Sequence, residues 1–127
     1  MDEIVKANLV PKFHKNTKLL KVFLIVKEFQ PTSALEIAYK GRIAKRYVYD
    51  LLETLESFDV VAGINILDAF KGNDSTSKEI VKKWSIIRKK LPLRTAQRYS
   101  QTAKFWKTTE TGDQLIPLIK EILGDKS

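Results

Sequence analysis

Arg42, Lys45, Arg46 and Tyr49 lie near the middle of the chain at three- and four-residue spacing. On one helical face, three cations and a phenol can hydrogen-bond phosphate oxygens and base edges. Such a face needs a backing. Ala44, Val48, Leu51, Leu52 and Leu55 supply it at i, i+4, i+7, i+8 and i+11, an apolar stripe at the helical period. The spacing predicts a helix over 42–57, buried on one side and cationic on the opposite side of its first two turns. A tight turn at Gly41 and a shorter helix from Thr32 would precede it. A reader of duplex DNA divides its surface in this way, because burial fixes orientation while the polar N-terminal half reaches into the groove. A helical hairpin that only packs uses similar spacing, so this stretch alone leaves both readings open.

Charge distribution narrows the choice. Net charge is +8, and residues 75–109 hold ten basic groups against the single acid Glu79. Residues 32–74 hold five basic and seven acidic groups, and residues 110–127 hold two and four. The excess therefore sits in the 75–109 segment and the N-terminal 31 residues, a footprint for a polyanion. A solvated Lys-rich face would more often pair Lys with Glu.

The elements that must position these groups can be read in order. Residues 1–15 form a basic arm, in which Pro11 argues against a long helix. His14, the only histidine, reads as a surface side chain. Asn16 or Thr17 can cap a helix to about Phe29, apolar over most of its circumference and ended by Gln30-Pro31. Ser33, with Glu36 three residues on, makes a capping box for the next helix. Phe58 to Asn65 is strand-like, and Ile66 to Phe70 is ambiguous. After a loop at 71–75, Thr76 and Glu79 form a capping box for a basic helix to about Lys90. Its stripe is Ile80, Trp84, Ile87 and Leu91. Residues 93–106 allow two readings. One is a helix that would pair with 77–91 as a second helix-turn-helix. The other is a hairpin with strands near 94–99 and 103–108, of which the second strand is favoured by the residues C-terminal to it.

The order Glu36-Ile37-Ala38, Gly41, Ile43, Val48, Leu52, Leu55 and Val60-Val61 resembles the helix-turn-helix of winged-helix transcriptional regulators. That family usually has Gly where this chain has Asp59, and a small polar residue where this chain has Ala44. Trp106, Thr109, Glu110, Gly112, Leu115 and Pro117 resemble the end of the wing and the start of the last helix in MarR-like and PadR-like regulators. The two resemblances cover roughly residues 16–61 and 103–123, in the family's order. They imply a mainly α fold with a small β-hairpin: a winged helix over 16–127, with residues 66–102 inserted in or near the wing and a C-terminal helix. They also imply a homodimer on double-stranded DNA. The copies would pair through the C-terminal helix (Leu115, Leu118, Ile119, Ile122) or through the helix that starts after residue 15; by period alone, the C-terminal stripe fits cover for the domain's own core equally well. The Lys-rich, Cys-free composition is compatible with an archaeal or archaeal-virus source.

No chemistry of catalysis is visible. The chain has no Cys, no Walker loop, no dinucleotide-binding glycine pattern, no His-Glu-x-x-His and no nucleophile elbow. No cofactor and no metal is expected, and no apolar run approaches the ~20 residues of a membrane span. The absence of a signal peptide points to a cytoplasmic, nucleoid-associated protein. The expected function is sequence-specific DNA binding in transcription regulation. The alternatives are a plasmid or viral replication or partition protein, or a winged-helix module that meets an acidic protein. In the leading reading Arg42, Lys45, Arg46, Tyr47 and Tyr49 face the major groove, and Arg94, Arg98, Lys104 and Lys107 reach backbone or minor groove from the wing. Lys82, Lys83, Arg88, Lys89 and Lys90 add affinity through counterion release.

Overall fold

The computed structural model describes the backbone of residues 3–124 and the side chains of residues 7–120, apart from 100 and 102. Its helices are α1 (Glu3–Lys15), α2 (Thr17–Phe29), α3 (Ala34–Gly41), α4 (Lys45–Ser57), α5 (Ile66–Lys71), α6 (Ser75–Arg88), α7 (Leu93–Thr102) and α8 (Glu110–Gly124). Strands β1 (Thr32–Ser33), β2 (Val61–Asn65) and β3 (Lys104–Thr108) form one antiparallel sheet in the order β1-β3-β2. The fold is thus mainly helical with a small three-stranded sheet. Among the described residues, no helix is long and apolar enough to cross a membrane.

Neighbouring residues on a strand point to opposite faces, and this divides the interior in two. Trp106 belongs to a core built from α1 to α4 and α8, together with Val60 and Val61. Phe105, the preceding residue, belongs to a second core with Ile66, Ala69, Ile80 and Trp84 from α5 and α6. The central strand β3 is the partition between them. Gly63 lies opposite Trp106 on β2, and a Cβ there would stand 3.1 Å from the indole.

Helix α1 forms despite Pro11, contrary to the expected irregular arm. A proline inside a helix costs about 3 kcal/mol. Leu9 and Phe13 are 0% and 5% exposed, and the Phe13 ring stacks on Phe23 at 5.7 Å. Burying two such side chains returns about 3–6 kcal/mol, which offsets the penalty.

Local chemistry accounts for the next elements. Asn16 Oδ1 accepts from the amides of Lys18 and Leu19, and Ser33 Oγ accepts from Glu36 N. The turn after α3 departs from expectation. The left-handed residue is Arg42 (φ 53°), not Gly41, and α4 starts only at Lys45. Arg42 N bonds Tyr39 O and Ile43 N bonds Ala38 O, a Schellman closure. Gly41 serves packing instead, since a Cβ there would lie 3.1 Å from Ile25 Cδ1. Ala44 becomes an exposed N-cap rather than part of the buried stripe, whereas Val48, Leu51, Leu52 and Leu55 are buried as expected.

Helix α4 ends with the same closure. Asp59 N bonds Glu56 O, Val60 N bonds Leu55 O, and Asp59 takes the left-handed conformation (φ 58°). An L residue pays about 1–2 kcal/mol there, somewhat less for Asp. Asp59→Gly is therefore expected to raise stability by up to about 1 kcal/mol, read as a higher urea midpoint with unchanged slope. A lower midpoint would assign the Asp59 side chain a contact of its own.

Residues 58–60 form this turn, so the strand is shorter than expected and begins at Val61. The ambiguous stretch from Ile66 is helix α5. Helix α6 is capped by Asp74, whose carboxylate accepts from Ser77 N and Oγ, rather than by the expected Thr76–Glu79 box. The Ser77 bonds hold the Asp74 carboxyl below the usual carboxylate range. Residues 93–102 are helical, which removes the strand expected near 94–99, while the strand expected over 103–108 is present as β3. Ala96 is buried and Tyr99 half-buried, so this short helix has an apolar side to bury against the second core.

Helix α8 is fastened at its start. Thr109 Oγ1 accepts from Gly112 N at 3.1 Å and donates to Asp59 O at 2.5 Å. Asp113 accepts from Thr108 Oγ1 at 2.6 Å and from Lys27 Nζ at 2.9 Å. Burial lifts the Asp113 carboxyl, but these two donors outweigh it and hold the group below its ordinary range. Leu115 and Ile119, whose stripe fitted either a seam between copies or cover for the domain's own core, are 0% and 3% exposed inside this chain's own core, and Leu118 packs partly against it. Ile122 lies outside the described side chains. The apolar residues of α2 are likewise consumed within one copy.

Candidate nucleic-acid interface

Helix α4 turns Val48, Leu51, Leu52 and Leu55 inward and leaves Arg46 exposed, with Arg42 exposed in the turn before it. Lys45 sits on the flank. Its ammonium donates to the Tyr99 hydroxyl of α7, which ties the start of α4 to α7. One donor is used there, and an ammonium has three. Tyr49, 44% exposed, comes one turn after Lys45. Beside it an open groove of about 410 Å³ runs between α4, the end of α7 and β3. Arg98 and Lys104 line that groove, so part of the basic 75–109 segment stands next to α4. Arg94 is exposed one turn before Arg98 on α7.

Among the helices whose starts lie within the described residues, the N-termini separate α4 and α7 from the others. Side chains cap the N-termini of α2, α3, α5, α6 and α8, through Asn16, Ser33, Asn65, Asp74 and Thr109. Helices α4 and α7 start at Ala44 and Pro92 with no side-chain cap, and neither has an acid in its first turn. Unused N–H donors and the positive end of the helix dipole stay open at both. Lys45 and Arg46 stand at the first opening and Arg94 at the second, an arrangement suited to phosphate.

Comparison with family models, with curated proteins and with solved structures found no match.

Three expected contacts point elsewhere. Tyr47 lies on the α2 side of α4. Its hydroxyl accepts from Asn16 Nδ2 at 3.1 Å, and its ring packs against the main core. Lys83 is a structural cation: its ammonium donates to Phe29 O at 3.0 Å and Pro31 O at 2.6 Å, holding the carbonyls between α2 and β1. Lys107 alternates with Lys104 along β3 and so faces the opposite side of the sheet, beside Gln30, Thr76 and Asp113.

Lys82 and Lys89 are exposed along α6, and Lys78 shares their side at i, i+4 and i+11. Lys78 was legible from that spacing. Arg88, Lys89 and Lys90 are exposed at the C-terminal end of α6, where cations also complement the helix dipole. The flank of α4 beyond Tyr49 carries Glu53 and Glu56, both lining the groove. Their spacing from Tyr49, at i+4 and i+7, was readable in the sequence, whereas the partnership of Tyr99 with Lys45 was not. Among the described residues, no group of three or more His, Asp or Glu side chains is placed to hold a metal ion.

Proposed function

We propose that this chain is a winged helix-turn-helix protein that binds double-stranded DNA and acts in transcription regulation, with helices α5 to α7 standing in place of the wing. Supporting the fold reading is the order of elements: α2, β1, α3, α4, β2, β3 and α8, with β3 between β1 and β2. Supporting the DNA reading is one observation above the others. Among the helices whose starts lie within the described residues, the two that meet through Lys45 and Tyr99 are the two without a side-chain cap, and both starts carry exposed cations.

In this reading α4 enters the major groove by its first turns. Arg46 contacts base edges, and Arg42 and Lys45 contact phosphates. The C-terminal half of α4 carries Asp50, Glu53 and Glu56 and stays clear of the backbone. Helix α7 contributes Arg94 and Arg98 from the adjacent position, the job a wing performs elsewhere. Lys82, Lys89 and Lys90 add charge without sequence information.

Footprinting on the chain's own genomic neighbourhood would locate a site, and two substitutions then separate the roles. Arg46→Ala is expected to relax sequence preference, with a loss of about 1–3 kcal/mol on the preferred site. Arg94→Ala, at the start of α7, is expected to weaken all duplexes alike and lower the salt slope by about one. Unchanged affinity in both variants would overturn the reading.

A further inference from the structure

Resting on that reading of α4, we infer that the groove beside it takes an unpaired nucleotide whose base bears an exocyclic amine. The groove, about 410 Å³, is within the roughly 300–1,000 Å³ of sites that enclose small organic ligands. Tyr49 and Tyr99 supply aromatic faces, with Trp106 at the floor. The Tyr99 ring is held in place by the bond from Lys45 to its hydroxyl. Aromatic faces beside cations are the stacking platform of single-strand recognition.

The charges in the groove sharpen the choice. Glu53 and Glu56 oppose Arg98 and Lys104, two acids against two bases. A simple ammonium ligand would meet both cations, and a bare phosphate would meet both carboxylates. A nucleotide uses every wall: phosphate toward Arg98 and Lys104, base between the tyrosines, exocyclic amine donating to a carboxylate. A base still paired in a duplex cannot enter such a recess. The occupant is therefore a strand end or break in the DNA held on α4, or a free mononucleotide of the same chemistry.

The test turns on sign. Carboxylates beside a polyanion ordinarily repel it, so Glu53→Gln with Glu56→Gln should tighten every DNA equally if they do nothing else. The inference predicts the reverse for one substrate. By fluorescence anisotropy, a duplex with a short dC overhang should bind about tenfold tighter than the blunt duplex or one with a dT overhang, since thymine has no exocyclic amine. The double variant should bind the blunt duplex at least as tightly as the parent does, through relieved repulsion, and lose the dC preference. Competition by cytidine monophosphate at the overhang would assign the groove to free nucleotide, and lack of competition would assign it to strand ends. Equal tightening on all three DNAs, or no dC preference in the parent protein, overturns the inference and leaves the reading of α4 intact. If the blunt duplex is not bound at all, that reading fails, and cytidine monophosphate alone decides the groove. Binding lost in the double variant then keeps the nucleotide assignment, and no binding overturns it too.

Discussion

Gly112→Ala is expected to lower the melting temperature by roughly 10 °C, from a loss of about 3 kcal/mol. A Cβ at Gly112 would stand 2.1 Å from Val60 O, a backbone atom with no rotamer to yield, and 3.3 Å from Phe23 Cε1. To relieve the contact, α8 must lift from the turn before β2. Lifting breaks Thr109 N to Val60 O and the Thr109 hydroxyl bond to Asp59 O. It also draws Leu115 and Ile119 out of the main core. Circular dichroism melting measures the effect. A shift of less than about 2 °C would mean that α8 accommodates the methyl, so its seat is looser than this close approach indicates.

The second large effect is on binding. Between about 50 and 200 mM salt, affinity for duplex DNA is expected to fall roughly 150- to 500-fold. Each phosphate neutralised contributes a slope of about 0.9 in the logarithms, and about four to five cations can engage at once. Arg42, Lys45, Arg46, Arg94 and Arg98 are those placed around the starts of α4 and α7. Lys83 and Lys107 are excluded because their positions serve the chain's own packing and the far side of the sheet. Binding isotherms across a salt series give the slope directly. A slope near zero would remove the electrostatic basis of the proposal. A slope near ten would show that the α6 cations engage together with those of α4.

The legible parts of this fold were those whose causes lie within a few residues. Asn16 and Ser33 could be named as caps because a cap and the amides it serves are neighbours in sequence. The stripe from Val48 to Leu55 could be read because period alone defines it. Where a distant partner decides the outcome, the sequence misleads. Helix α1 holds because Leu9 and Phe13 find Phe23, which no local rule reveals. Tyr47 and Lys83 look like any surface phenol and amine until Asn16 and the carbonyls of Phe29 and Pro31 are placed beside them. Arg42 and Asp59 take backbone conformations usually given to Gly, so the end of α3 was marked by a residue that carries no turn signal and that of α4 by one that carries only a weak one. In the candidate site Arg46 and Tyr49 were legible from helical spacing. The groove was not, because one wall comes from α4 and the others, α7 and β3, from about fifty residues further along the chain.

Strand β3 has one more implication. Its two partners, β1 and β2, do not pair with each other, and they are made some seventy and forty residues before it. As the chain leaves the ribosome, both β1 and β2 are edges without a mate until Lys104–Thr108 is inserted between them. Phe105 and Trp106 then complete two interiors in a single event. The helices that stand beside the proposed DNA-reading helix thus gain their order in the same step as the body that carries it, so the two halves should assemble, and come apart, together.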